Sequence, residues 1–261
     1  DARPFDVEYA RTRAYFEPIV EVTQMKGTSE THPFLSPDDE FADHEIMDVS
    51  NLSGKAPKTN DMLVAEYARS ALLTGLQEKL RLGVNPFKFG MIGATDAHTG
   101  LPSAREDNNF GKAHIVEPSP ARLSQPLIKA SNPELSLLVK DLGASGLAGV
   151  WAEENTREAI WDALERREVF ATTGPRISVR LFGGWGFSEE DLQHPLWHHI
   201  GEREGVPMGS DLPRQPSASV TPSFMVVASR DAAGANLDRI QIIKGWIDDL
   251  GQRHEKIFDV A

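Results

Sequence analysis

GMIGATDAHTG, residues 90–100, is the stretch on which the reading of the fold turns. An apolar run stops at Thr95, and Asp96 and His98 follow one residue apart between Gly93 and Gly100. Apolar residues bounded by glycine and polar residues predict a short buried strand. In folds built on parallel strands, functional side chains gather just past the carboxyl ends of strands, where the backbone opens into loops while the strand fixes its position. A carboxylate and an imidazole at such a place can turn toward one cation, and the flanking glycines let the backbone approach a metal or substrate closely. The competing reading is an Asp-containing turn with a solvent-facing histidine.

Upstream, residues 60–82 keep Met62, Leu63, Tyr67, Ala71, Leu72, Leu76 and Leu80 on one helical face, with Asn60 placed to cap the start and Gly83 to end it. Helical spacing over residues 6–16 stops at Pro18, and IVEVTQ (19–24) reads as a short strand. Between Met25 and Thr59 periodicity disappears, and Pro33, Pro37, Gly54 and Pro57 punctuate a long carboxylate-rich loop, a feature more often functional than idle. Downstream, a brief helix is expected at 134–142, GLAGVWA (146–152) reads as another strand, and Asn155 to Glu158 has capping-box spacing. The helix that follows directs Ile160, Trp161 and Leu164 inward. Alternating helices and strands predict an α/β fold, layered or barrel-like, over residues 1–176. After the helix over TREAIWDALERR the runs EVFATTGPRISVRLFGGW, PSFMVVASRD, LDRIQIIKGWID and EKIFDVA are strand-like and carry no convincing helix. They predict a β-rich, sandwich-like module over 177–261 that stops in the middle of a strand.

Composition narrows the chemistry. The formal net charge of −12 argues against nucleic acid, whose recognition rests on clustered Lys and Arg. With no cysteine, thiolate nucleophiles and Cys-type zinc sites drop out, and any metal must be held by His, Asp and Glu, which favours Zn, Mn or Fe. Apolar runs are far shorter than the ~20 residues that span a bilayer, and DARPFDVEYARTR lacks the layout of a signal peptide. A soluble chain of either cytoplasm or periplasm is expected. There is no phosphate-binding P-loop, no dinucleotide glycine fingerprint and no Gly-x-Ser-x-Gly elbow.

A second cluster follows the 19–24 strand, where Glu30, His32, Asp38, Asp39, Glu40, His44 and Glu45 crowd the loop. Such a density of donors suits a polynuclear site, although a solvated acidic loop accounts for most of them. Glu21 stands out because a carboxylate within an apolar strand needs a partner if buried, and His32 because Pro33 stiffens its surroundings. Glu153 and Glu154 follow a strand but suit the first turn of a helix. Thr172, Thr173, Gly174 and Arg176 form a turn able to hold an anion, or simply a structural turn. His194, His198 and His199 lie far from any strand end and read as surface or interface residues, while His114 in FGKAHIVEP is a candidate for substrate contact.

At GATDAHTG the chain resembles the final metal-binding motif of the PHP (polymerase and histidinol phosphatase) superfamily, in which a Ser/Thr-Asp-Ala-His segment ends a barrel strand. IVEVTQMKGTSE, LGVNPFKFGMIGATDAHTG, GLAGVWAEENTREAIWDALERREVFATTGPRI and IQIIKGWID further resemble a bacterial family defined as a domain of unknown function, DUF3604. The resemblance implies a distorted parallel (β/α) barrel holding up to three divalent ions, usually Zn, Mn or Fe, and hydrolysing phosphoester-type bonds. Asp96 and His98 match the closing ligand pair, and Glu21 matches an acidic residue on an earlier strand. The superfamily's opening His-x-His strand has no counterpart here, which implies that the chain is the later part of a longer protein and works with a missing N-terminal segment. The function so expected is a metal-dependent hydrolase of a small, possibly phosphorylated molecule, with His32 or His114 as the acid. The alternative is a non-catalytic carbohydrate- or protein-binding protein, with Trp185, Trp197 and Trp246 as stacking surfaces.

Overall fold

The computed structural model of the chain describes residues 5–102, 105, 107, 111–143 and 145–261. Asp6 caps the first helix, α1 (Val7–Phe16), its carboxylate accepting the Tyr9 N–H at 2.8 Å. Pro18 then releases the chain into β1 (Ile19–Gln24), which turns at Gly27 (φ 103°) into the antiparallel β2 (Gly27–Thr28).

The helix expected over 60–82 is two helices, α2 (Asn60–Leu63) and α3 (Ala68–Leu82). The break has a local cause. The Ala68 and Arg69 N–H groups donate to the Ser29 and Glu30 carbonyls at 2.9 and 3.0 Å, so the first turn of α3 is tied to the loop after β2 instead of continuing α2. Gly83, left-handed at φ 75°, ends α3 as its position predicts.

The chain returns through β3 (Gly90–Gly93), parallel to β1, with Val20 opposite Met91 and Glu21 opposite Ile92. A bulge after Glu21 sets Thr23 opposite Gly93. Further along the chain, β4 (Pro126–Ile128) and β5 (Leu137–Leu138) form a small antiparallel pair. The helix expected at 134–142 is instead two 3₁₀ turns on either side of β5, because the buried Leu137 and Val139 repeat every second residue rather than every third or fourth.

Next come β6 (Leu147–Val150), α4 (Arg157–Glu165) and β7 (Val169–Thr172). Thr156, one residue after the expected Asn155, caps α4 by accepting the Ala159 N–H at 3.3 Å. Trp161 faces solvent at 66 % exposure, contrary to the expected inward face, and Ala163 takes the buried position.

The expected parallel (β/α) barrel is not formed. Among the described residues β1–β3 is the one parallel pair of strands, every other pair of strands is antiparallel, and no sheet closes on itself. The β6–α4–β7 alternation that suggests a parallel crossover brings β7 back antiparallel to β6, with Leu147 opposite Thr172. The β6–β7 pair packs against β3, which is possible because Gly93 has no side chain: a Cβ there would meet the Leu147 N and O atoms at 2.7 and 2.8 Å.

The C-terminal part also departs from expectation. It contains β8 (Ser178–Gly184), two helices α5 (Glu189–Gln193) and α6 (Trp197–Glu204), then β9 (Gly205–Pro207), β10 (Ser223–Ser229), β11 (Gln241–Ile247) and β12 (Arg253–Asp259). The sheet β10-β8-β9 is covered by α6, where Trp197 meets the fully buried Phe182 edge-on at 5.8 Å. The β11–β12 hairpin does not stack on that sheet as a sandwich would. It packs on α3, and Arg253 donates to Gln77 Oε1 and Thr74 Oγ1 at 2.8 and 2.9 Å. No helix among the described residues is long and apolar enough to cross a membrane.

Candidate functional site

The carboxyl ends of β1 and β3 lie side by side, and the Ala94 N–H carries the pairing one residue further by donating to the Thr23 carbonyl at 2.9 Å. Asp96 follows in the left-handed region (φ 49°), a conformation that aspartate tolerates better than most residues. His98 is fixed by its own N–H, which donates to the Lys112 carbonyl at 2.6 Å as part of a parallel bridge to Ala113.

These constraints bring the two side chains together. His98 Nε2 lies 2.8 Å from Asp96 Oδ1. The other carboxylate oxygen receives the Lys112 ammonium in a close contact, and Lys26 Nζ stands 3.3 Å away. Lys112, whose side chain is 6 % exposed, also donates to the Asp96 carbonyl at 2.9 Å and to Gln24 Oε1 at 3.4 Å, so its three donors are all engaged. Gln24 Nε2 in turn donates to Glu21 Oε1 at 3.2 Å.

Burial alone would raise the Asp96 carboxyl, but hydrogen bonds from Lys112 and His98 and the charges of Lys112 and Lys26 outweigh it and hold the group well below the usual carboxylate range. Burial lowers the Lys112 ammonium, and the bond and charge of Asp96 oppose that without fully cancelling it. The ammonium of Lys26 has Asp96 as its one ion-pair partner among the described residues, which leaves it donor capacity.

Sequence reasoning placed other residues less well. Glu21 is exposed, so the argument from a buried carboxylate does not hold; it joins the site through Gln24 instead. His32 is buried, and its Nδ1 accepts the Phe34 N–H at 3.0 Å, which leaves the proton on Nε2 to donate to Asp48 Oδ2 at 3.0 Å. With both nitrogens engaged, it has no free position for a substrate. His114 is exposed in the turn after Ala113, without a partner among the described residues. The acidic loop gathers around Arg69, which binds Glu30 Oε1 through Nε and Nη2 at 2.8 and 2.6 Å and Asp39 Oδ2 at 2.6 Å. The Thr172–Arg176 turn is spent structurally: Thr172 Oγ1 accepts the Leu147 N–H and Asp231 accepts the Arg176 N–H. His198 and His199 sit on α6, with rings 4.3 Å apart, and α6 packs on β8 and β9.

Among the described residues no three His, Asp or Glu side chains form a group able to hold a metal ion. With Asp96 ionised, the proton of the 2.8 Å bond sits on His98 Nε2, so one oxygen and one nitrogen are offered to a divalent ion only where the ion displaces that proton and the Lys112 contact. The donor set therefore fits two positions around a divalent ion, with Lys112 yielding Oδ2.

Sequence reading missed Lys26, Lys112 and Gln24, and with them a cleft of about 260 Å³ beside the pair. Glu21, Gln24 and Lys26 line one side; Lys58, Glu66 and Tyr67 line another. Lys58 and Glu66 pair at 2.5 Å across the surface. Burial, with Asp48 and Glu66 nearby, pushes the Tyr67 phenol up to about 12, so it stays protonated. A lysine set among Phe110, Gly111 and Ala113 is an available signal for Lys112, since an apolar setting requires a partner for its charge.

The family model described as "Protein of unknown function (DUF3604)" matches residues 1–261, the whole chain, and the chain belongs to that family. Neither the curated proteins nor the solved structures compared with it gave a match.

Proposed function

Taking membership of that family as the premise, we propose that the chain is a metal-dependent hydrolase of phosphoester-type bonds, working at Asp96 and His98. The observation that carries the reading is the convergence of these two side chains, 2.8 Å apart, past the ends of two parallel strands and beside two lysines. The likeness of GATDAHTG to the PHP motif supports the same class of chemistry. Asp96 and His98 would hold a Zn, Mn or Fe ion, with further ligands from outside the described residues. Such an ion, when bound, supplies a water acidic enough to attack at neutral pH.

The chain's own residues do the rest. Lys112 fixes Asp96 in its left-handed position. Lys26, with donors to spare, neutralises charge on the phosphoryl oxygens. His114 donates the proton to the leaving oxygen. The rival binding role gains little from the aromatics: Trp197 packs on Phe182, Trp185 Nε1 donates to the Pro213 carbonyl at 3.1 Å, and Trp246 stacks on His254 at 5.1 Å.

The test is turnover of phenyl phosphate by the chain supplied with Zn, Mn or Fe, alongside Asp96→Asn. The expected result is metal-dependent hydrolysis that falls about a hundredfold or more in the variant. Undiminished turnover in Asp96→Asn, or no turnover and no bound ion under any of the three metals, overturns the proposal.

A further inference from the structure

The cleft beside the Asp96–His98 pair has a composition that selects a ligand. Tyr67 is only 6 % exposed, lines the cleft, and has a hydroxyl with no hydrogen-bond partner among the described residues. Its oxygen still reaches solvent and is free to bond a ligand. Because the phenol stays protonated, it can act as a donor at any ordinary pH. Lys26 is a second donor with spare capacity, while Glu21 and Glu66 are carboxylate acceptors on the same walls.

This mixture discriminates among ligand classes. Glu21 and Glu66 are balanced by Lys26 and Lys58, so the walls carry no net charge and favour a neutral ligand over a phosphate or an acid group. A purely apolar ligand would leave donors and acceptors unmet. A nucleobase is recognised largely by stacking on aromatic faces, and Tyr67 is the sole aromatic lining residue. Hydroxyl groups, each both donor and acceptor, match Glu21, Glu66, Lys26 and Tyr67 together. Met47, Leu52 and Leu137 supply apolar patches for the C–H faces of a ring. The volume of about 260 Å³ lies below that of pockets for drug-sized ligands, roughly 300–1,000 Å³, and suits one small ring.

Lys26 belongs both to the cleft wall and to the Asp96 contact, at 3.3 Å, so one molecule can reach both places. We infer that the cleft receives a neutral, monosaccharide-sized polyol, the alcohol part of the ester cleaved at Asp96 and His98. The ester bond in this statement rests on the hydrolase reading; polyol binding does not.

Two measurements separate the claims. In the first, free inositol, glucose and ribose are titrated into the chain by calorimetry, with Tyr67→Phe and the exposed Glu21→Gln as variants. At least one polyol binds, and each variant weakens it about three- to tenfold. In the second, kcat/KM is compared for the monophosphate esters of these polyols and for phenyl phosphate. The polyol esters are preferred, and Tyr67→Phe narrows the preference mainly through KM. No polyol binding together with equal turnover of all esters overturns the cleft assignment and leaves the hydrolase standing. Polyol binding weakened by Tyr67→Phe, with no ester hydrolysed, overturns the hydrolase and leaves the cleft assignment standing.

Discussion

Replacing Arg69 with methionine tests how the acidic loop after β2 is held. The Arg69 side chain is 13 % exposed and the Asp39 side chain 2 %, so their 2.6 Å contact is a buried ion pair. Glu30, at 42 % exposure, can rehydrate when the guanidinium is lost, and Glu255 stands off at 3.9 Å. The cost of Arg69→Met is therefore dominated by Asp39, left buried with only the Phe41 N–H at 3.0 Å as a bonding partner. Removing one member of a buried pair costs about 3–5 kcal/mol, and we take about 3 because Met fills much of the same volume. At a urea m-value of about 3 kcal/mol/M, this lowers the unfolding midpoint by about 1 M. The double variant Arg69→Met/Asp39→Asn should recover most of the loss, giving a coupling energy above about 1 kcal/mol in the cycle. A single-variant loss below about 1 kcal/mol, or strictly additive variants, would show that solvent rather than Arg69 satisfies the loop.

Gly93→Ala places a Cβ 2.7–2.9 Å from backbone atoms of Leu147 and Thr172, which cannot swing aside, and should cost about 1–3 kcal/mol in thermal or urea unfolding; a neutral result would mean that β3 does not abut β6–β7. Thr156→Ala should cost about 1 kcal/mol while Asn155→Ala costs little, since Thr156 carries the cap; the reverse order would return the cap to Asn155. Asp96 is held below the usual range in the folded chain, so the stability it contributes is full above about pH 4 and declines as pH falls below that. Acid unfolding of Asp96→Asn should accordingly be less steep than that of the parent, and identical profiles would count against the Lys112–Asp96 pairing. Tyr67 shifts the other way: its contribution is full below about pH 10 and lost as pH rises toward 12, and phenolate absorbance should show one of the three tyrosines ionising late.

Local signals in the sequence were reliable where the physics is local. Pro18 and Gly83 end helices where a fixed φ or a left-handed residue requires it. The apolar run before Thr95 becomes β3, and Asp96 and His98 follow its end as that pattern predicts. The Ser188-x-x-Asp191 spacing was equally available, and in the structure it forms a full capping box for α5, a helix too short to show periodicity. What failed was inference from order of elements to direction of pairing. A strand, a helix and a strand in sequence permit β7 to return either parallel or antiparallel to β6, and no residue in 147–172 encodes the choice by itself.

The site divides along the same line. Asp96 and His98 are legible because two residues beyond one strand end must share a neighbourhood. Lys26 and Lys112 are not, because they reach Asp96 from 70 positions before it and 16 after it, and only the β1–β3 pairing and the His98–Ala113 bridge bring them there. The acidic loop misleads for the complementary reason. Its carboxylates suggest cation ligands, and they do bind a cation, but the cation is the Arg69 guanidinium supplied by α3. The same question governs Asp96, where Lys112 now holds one oxygen. Arg69 cannot yield without stranding the buried Asp39. If Lys112 moved, Asp96, with 24 % of its side chain exposed, would still have Lys26 and His98 beside it. Lys112 is itself 6 % exposed, so any cation drawn to Asp96 must leave that ammonium its bonds to the Asp96 carbonyl and to Gln24.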